Sequence, residues 1–288
     1  MRLEYATSRG RVTMDSDAPP IVLMEDITGL GGADGNVHTA ATPMQDGVTW
    51  LGSTAEPRMI ALTGAIVGDD TARAALRREI TRTLSAKAGL GLATITAYGY
   101  ARQIGAVVER APAFGEAEGE GVGFQMFTCT LYCPQPFFED VNVSTCEMTA
   151  RDGGMKFPLR LPAKFSVLHN VNRYRCVNTG DVPCAIEAEF SAGALNPVLT
   201  NTSTGEYIRI RRDIPFGHSL VITTGFNDKV AYLKSLSTGE RTDAMGYLDL
   251  NSTFFRFNPG DNWLNFDADE GRQSTHVSVK WRPAYVAF

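Results

Sequence analysis

Few residues in this chain are spaced for chemistry. Gly29-Leu30-Gly31-Gly32-Ala33-Asp34 resembles a dinucleotide-binding turn. It lacks the third glycine in register and no helical pattern follows it, so neither mechanical requirement for holding a pyrophosphate is met. Asp267-Ala268-Asp269-Glu270-Gly271 offers carboxylates suited to calcium. An EF-hand loop needs further oxygen ligands, a glycine one position later and a distal glutamate, so a solvated acidic turn is the better reading. Cys129 and Cys133 lie on one expected strand. At a rise of about 3.3 Å per residue they are too far apart to bridge, and they read as small buried hydrophobes. His38, His169, His218 and His276 are scattered, which leaves no metal-ligand cluster. There is no Walker lysine, no H-E-x-x-H and no nucleophile elbow. With 32 acidic residues some carboxylate pair can always be proposed for glycoside hydrolysis, and no pattern selects one. Trp263 and Trp281 are the candidates for stacking on a sugar, with Trp50 a third tryptophan. A tryptophan within an alternating strand is more often core or interface. Arg209, Arg211 and Arg212 form a small basic stripe that reads as an exposed strand face, with a subunit contact as the alternative. The expectation is therefore no enzyme, no cofactor and no metal.

The composition agrees with a binding or structural role. Of 288 residues, 43% are hydrophobic and 20% charged, which describes a folded globular chain. A net charge of −5 lacks the basic surplus of a general nucleic-acid or anionic-membrane binder. No apolar run approaches the roughly 20 residues of a membrane helix. Met1-Arg2-Leu3-Glu4-Tyr5 lacks the apolar core of a signal peptide, so the chain is expected to stay in the cytosol until it assembles. Five cysteines do not make a disulfide framework.

The pattern of elements is mainly β. Ile21–Met24 and Met59–Val67 read as strands, the second closed by Gly68. A helix follows, with Asp69 or Asp70 at its N-cap, an apolar face of Ala72, Leu76, Ile80 and Leu84, and Gly89 just past its end. Ala93–Tyr98 and Gln103–Arg110 flank a turn at Gly99. Gly115–Gly121 is a hairpin connection, and Phe124–Tyr132 alternates with Phe127, Cys129 and Leu131 on one face. This predicts an N-terminal β-barrel or sheet with one packed helix. Beyond Phe157 turn signals recur, between short runs at Ala185–Phe190, Tyr207–Arg211, Ser219–Thr224, Lys229–Leu233, Phe254–Phe257, Trp263–Phe266 and His276–Trp281. That spacing predicts a β-sandwich or a jelly roll. Ile208 and Ile210 alternate with arginines, giving that strand one wet face.

Between the halves stands Cys133-Pro134-Gln135-Pro136-Phe137-Phe138. Its prolines end a strand and its paired phenylalanines should anchor the exit in apolar surface. We read it as the seam between domains at 1–150 and 151–288. A strand ending in this motif, followed by Phe157-Pro158-Leu159 with Pro162, resembles the middle of siphophage distal tail proteins. The resemblance extends over nearly the whole chain. It runs through Glu25–Leu30 with Gly29, Asp46-Gly47, and Arg58–Gly64. It continues through Phe165, Asn178–Pro183 with Gly180, Thr204-Gly205-Glu206, Asp249-Leu250, and Phe254-Phe255. It ends with Asn258-Pro259-Gly260-Asp261-Asn262 and Trp281–Tyr285. Gln135 departs from the pattern, since the family often has an acidic residue there.

The resemblance implies a ring-forming N-terminal domain and a C-terminal galectin-like β-sandwich. It implies a virion structural protein at the tail tip, assembled in the bacterial host cytoplasm as a homohexameric ring. Its partners would be the tail-tube protein, the tape-measure protein and a tail-associated lysin or receptor-binding protein, around a passage for DNA. No specific nucleic-acid recognition and no membrane insertion are expected. Galectin-like describes a fold and does not itself bring sugar binding. The alternative is a carbohydrate-binding adhesion module acting on a host surface glycan through the sandwich, and a third is a polysaccharide-degrading tail enzyme.

Overall fold

A computed structural model describes residues 1–24, 27–115, 120–121, 123–149, 173–191 and 193–288. They form two compact units, Met1–Val141 with Ala284–Phe288, and Asn142–Pro283. The first contains β1 (Arg2–Thr7), β2 (Gly10–Asp15), β3 (Ile21–Leu23), β4 (Gly35–Ala40), β5 (Thr49–Ala55) and β6 (Arg58–Val67). Helix α1 (Asp70–Thr83) follows, then β7 (Gly91–Ala97), β8 (Tyr100–Phe114), β9 (Glu120–Gly121), β10 (Phe124–Cys133) and β11 (Phe138–Asp140). The second contains β12 (Ser144–Thr149), β13 (Tyr174–Asn178), β14 (Ile186–Phe190), β15 (Val198–Asn201) and β16 (Glu206–Arg209). It continues with β17 (His218–Gly225), β18 (Asp228–Ser235), β19 (Arg241–Asp243), β20 (Gly260–Asp267) and β21 (His276–Trp281). The last strand, β22 (Ala284–Tyr285), pairs with β11 in the first unit.

The first unit is a barrel. Its sheet runs β8-β7-β1-β2-β3-β6-β10, and pairing of β10 with β8 closes the ring. Alternation fills it: Leu3, Tyr5, Val12, Met14, Ile60, Leu62, Phe127 and Leu131 point inward and are buried. Each such side chain contributes about 1.5–3 kcal/mol over its exposed state. Gly64 leaves room for the Phe127 ring, which a Cβ there would meet at 2.6 Å. Tyr98 and Gly99, both at positive φ, make the tight β7–β8 turn at the expected place.

The expected helix is present. The Asp69 carboxylate caps it by accepting from the Ala72 N–H at 2.8 Å. Ile80 and Leu84 enter the barrel core and Leu76 packs against it, while Ala72, at the start of the expected apolar face, stays exposed. Gly89 does not end α1. The helix stops at Leu84, and Gly89, at φ 78°, closes a separate 3-10 turn over Ala86–Ala88.

The second unit is a β-sandwich of a six-stranded sheet, β12-β21-β14-β17-β18-β19, and a four-stranded sheet, β13-β20-β15-β16. Ile208 and Ile210 are buried and Arg211 is exposed, as the alternation predicts. Phe254–Phe257 is not a strand. Phe255 and Phe257 are buried, but only Phe257 makes a bridge, to Cys184. A division after residue 150 would put Ser144–Thr149 in the first domain. These residues pair along β21 in the second unit, and residues 284–288 return to the first.

Candidate functional site

Three residues of the resemblance, Gly29, Pro136 and Phe138, meet at a side chain to which the sequence assigned no role. Arg58 opens β6 and is 4% exposed. Its guanidinium faces backbone carbonyls from three distant segments. Nε donates to Pro136 O at 2.8 Å, Nη1 to Gly29 O at 2.6 Å and to Gly31 O, and Nη2 to Val286 O at 2.7 Å. The Phe138 ring lies 4.7 Å away under the cation. Phe138 in turn meets Phe288 edge-on at 6.0 Å. Burial lowers the guanidinium's pKa from its ordinary value, yet arginine keeps its proton, so a buried cation is held by carbonyl dipoles.

This explains the types of the surrounding residues. Gly29, at φ 85°, brings its carbonyl to Arg58, and a Cβ there would lie 1.8 Å from Met59 O. Buried Cys133 ends β10. Pro134 and Gln135 are exposed, Pro136 supplies a carbonyl, Phe137 is half-buried, and Phe138 is the anchor. Phe157, Pro158 and Pro162 lie outside the described residues, as do Glu25, Asp26 and most of the Gly115–Gly121 connection. A charged residue at the head of an apolar strand was the available signal for Arg58.

In the second unit the signature is turn chemistry built on buried asparagines. Asn178 Oδ1 accepts from the Gly180 N–H at 2.9 Å, and its Nδ2 reaches Val182 O and Phe257 O, both at 3.0 Å. Asn262 Oδ1 accepts from the Asn258 N–H at 3.1 Å, closing the turn through Pro259 and Gly260. Gly205 (φ 80°) and Gly260 (φ 87°) supply left-handed positions, and Pro183 sits exposed beyond the Asn178 turn. Asp249 pairs with Arg211 at 2.7 Å. The N–H of Asn251 and then the Arg211 guanidinium hold its carboxyl below the ordinary carboxylate range. Arg212 lies 4.6 Å over the Tyr247 ring.

The tryptophans do not form one platform. Trp281, on the six-stranded sheet, is buried edge-on against Phe257 at 5.1 Å. Trp263, on the four-stranded sheet, is 38% exposed. It stands opposite Arg175, whose guanidinium pairs with Asp261 at 2.9 Å. Asp261, Trp263 and Asn265 share the outer face of β20, and Thr200 and Tyr207 continue it across β15 and β16. The Asn265 Oδ1 is buried without a partner among the described residues. Asp267 pairs with Arg272 at 3.5 Å and Asp269 accepts from Asn196 at 2.7 Å, so the acidic turn is tied into the fold. No group of three metal-ligating side chains occurs among the described residues.

One further feature escaped the sequence. The β4–β5 ribbon is exposed along nearly all its length, with Val37, Trp50 and Leu51 open to solvent, as is Val48 just before β5. A bulge at His38/Thr39 interrupts its register. Because it buries neither face, it has no alternation to read.

Comparison with known proteins places this geometry. Residues 179–285 match the family model of the siphovirus-type tail component, C-terminal domain. No curated protein sequence matches the chain. The crystal structure of the phage SPP1 Dit protein (gp 19.1), a hub adsorption apparatus protein of phages infecting Gram-positive hosts, superposes with a TM-score of 0.67 at 13% identity. That match covers 98% of each chain. A chain of the phage p2 baseplate in its activated conformation with strontium superposes with a TM-score of 0.58 at 9% identity, over 97% of this chain and 98% of that one. The calcium form gives 0.55 at 9% over the same shares. Residues 179–285 are thus similar to the siphovirus-type tail component, C-terminal domain, and the resemblance to siphophage distal tail proteins carried by the sequence holds for the fold along the whole chain.

Proposed function

We propose that this protein is a structural component of a phage tail tip, a homohexameric hub that joins the tail tube to the lysin or receptor-binding apparatus. DNA would pass through its centre, and assembly would take place in the host cytoplasm. Its role is mechanical, and no catalytic step is assigned to it. The observation that carries the reading is the tail-component domain at 179–285 combined with hub-like fold along the chain. The exposed ribbon supports it. A two-stranded hairpin is marginal in water, and one that presents Trp50 and Leu51 to solvent gains stability when a neighbour covers it. A head-to-tail contact of this kind, repeated, closes a ring. The test is the solution mass by light scattering with negative-stain images of the same peak. A six-fold ring, lost on Trp50→Ser with Leu51→Ser, is expected. A protein that stays monomeric, and binds neither tail-tube nor tail-tip proteins on co-expression, overturns the reading.

The outer face of the four-stranded sheet favours a second reading. Trp263, Tyr207, Arg175, Asp261 and the unpaired Asn265 Oδ1 combine stacking and hydrogen-bonding groups of the kind that hold a host glycan. Binding on an array of host envelope sugars, abolished by Trp263→Ala, would establish it. Silence on such an array removes it.

A further inference from the structure

A cluster of arginines lies on the helix of the first unit, separate from the Arg58 cage and the ribbon. Arg77, Arg78 and Arg82 are exposed on α1, and Arg9, from the turn between β1 and β2, joins them around a shallow groove that Thr81 and Ser85 also line. Arg78 and Arg82 form the ridge between this groove and a second one that holds Glu79. Spaced four residues apart, they stand on the same side of the helix. Arg77 rests its guanidinium 4.5 Å over the Phe114 ring and keeps its charge unopposed. Among the described residues none of these four arginines pairs with a carboxylate. The neighbouring arginines do, Arg73 with Asp70 and Arg11 with Glu4. In a chain of net charge −5, four unpaired guanidinium groups in one groove are a local reversal of sign.

We infer that this groove docks a carboxylate-rich segment of a neighbouring tail protein. The inference rests on the tail-tip reading for the identity of the neighbour, and on charge complementarity for its chemistry. A nucleic acid fits less well. Phosphate binding draws on a long-range positive field and grows with the number of phosphates neutralised. Here the net field is negative, the cluster covers barely two helical turns, and Glu79 interrupts it. A folded partner presenting a few carboxylates inside the Debye length meets the arginines and avoids the rest of the surface. Guanidinium groups, with their planar paired donors, suit carboxylates in this geometry.

The test uses the full chain and a fluorescein-labelled oligoglutamate peptide, followed by anisotropy at low salt, with a labelled DNA duplex alongside. The peptide is expected to bind, to weaken as salt rises, and to weaken about tenfold or more on Arg78→Glu with Arg82→Glu, a change of about 1.4 kcal/mol or more. Arg78→Gln with Arg82→Gln, which removes charge without reversing it, should give an intermediate loss while circular dichroism stays unchanged. Failure of the wild-type chain to bind the peptide overturns the inference, as does equal binding by the variants. Tighter binding of the duplex than the peptide also overturns it, in favour of a nucleic acid. Ring formation is measured separately by light scattering, so the hub reading can fail while the acidic-peptide site stands, and the reverse.

Discussion

The Arg58 guanidinium lies 4.7 Å from the centre of the Phe138 ring, and both residues stand at one end of the β6–β10 pair, Arg58 at the start of β6 and Phe138 five positions past the end of β10. Arg58 is directly across from Cys133, the last residue of β10. The chain leaves Cys133 through two prolines and returns its phenylalanine beneath the cation. The proline-rich exit thus folds over the head of the strand that its own strand pairs with. The same cation holds the Gly29–Gly31 loop and the carbonyl of Val286 near the C-terminus.

Arg58→Ala should therefore destabilise the barrel by about 3 kcal/mol or more, because it strands several buried carbonyls at once. Arg58→Lys should recover only part of that, since an ammonium has three donors and no planar face for Phe138. Chemical denaturation of the two variants checks both values. Equal stability of Arg58→Lys and the wild type would show that charge alone, without the fork, holds the cage.

Gly29 and Gly205 separate two costs that glycine can carry. Both have positive φ, but a Cβ at Gly29 would lie 1.8 Å from Met59 O, whereas nothing lies within 4 Å at Gly205. Gly205→Ala should cost about 1 kcal/mol from backbone strain alone. Gly29→Ala should cost several times more, because the loop must leave Arg58 to clear the clash. Urea midpoints of the two variants, taken at unchanged slope, give the comparison.

What could be read in the sequence was local. Asp69 announced the helix, Gly99 the tight turn, and the alternation through Phe127, Cys129 and Leu131 the strand. Beyond Phe157 the turn residues marked most strands because asparagines and glycines act within a few positions of themselves. The β1–β2 hairpin was missed although Leu3, Tyr5, Val12 and Met14 alternate, because strands this short carry only two inward residues each. The ribbon carried no period. Arg58 stands within one motif of the resemblance, but its partners lie 27 to 228 residues away, and only the closed barrel brings them together. Phe254–Phe257 shows the opposite error, apolar residues that fill a core without joining a ladder.

The barrel should weaken in alkali through its thiols. Burial pushes the Cys129 thiol up to about 12 and the Cys133 thiol up to about 11, from 9.0. The folded pKa values are the raised ones, so the unfolded chain loses protons first. Stability is full below about pH 9 and falls as pH rises towards 11–12. At pH 10 each thiol should have cost about 1.4 kcal/mol. Denaturation at pH 8 and pH 10 under reducing conditions checks the difference. A Cys129→Ala, Cys133→Ala variant should be less stable at pH 8 and show a flatter alkaline limb.

Cys146 should be the thiol that reacts. It is half-buried on β12, and a hydrogen bond from Cys176 lowers its pKa, while the same bond, with burial, raises that of Cys176. Limited iodoacetamide treatment of the folded chain at pH 8, read by mass spectrometry, should label Cys146 ahead of Cys129, Cys133 and Cys176. Cys176→Ala should slow that labelling by removing the donor.

Trp281 and Trp263 should part company on substitution, which separates structure from recognition in the sandwich. Trp281 is buried and meets Phe257 at 5.1 Å, so Trp281→Ala opens a cavity and should cost about 3–5 kcal/mol. A loss of glycan binding on that change would be a folding defect. Trp263 is 38% exposed on the outer face beside Arg175, so Trp263→Ala should cost under about 2 kcal/mol and leave the fold in place. Any glycan binding lost on that change, in protein whose melting curve is little shifted, belongs to the sheet face itself. If Trp263→Ala unfolds the sandwich as Trp281→Ala does, the ring is a core residue and the sugar-binding reading loses its only exposed tryptophan in the described second unit.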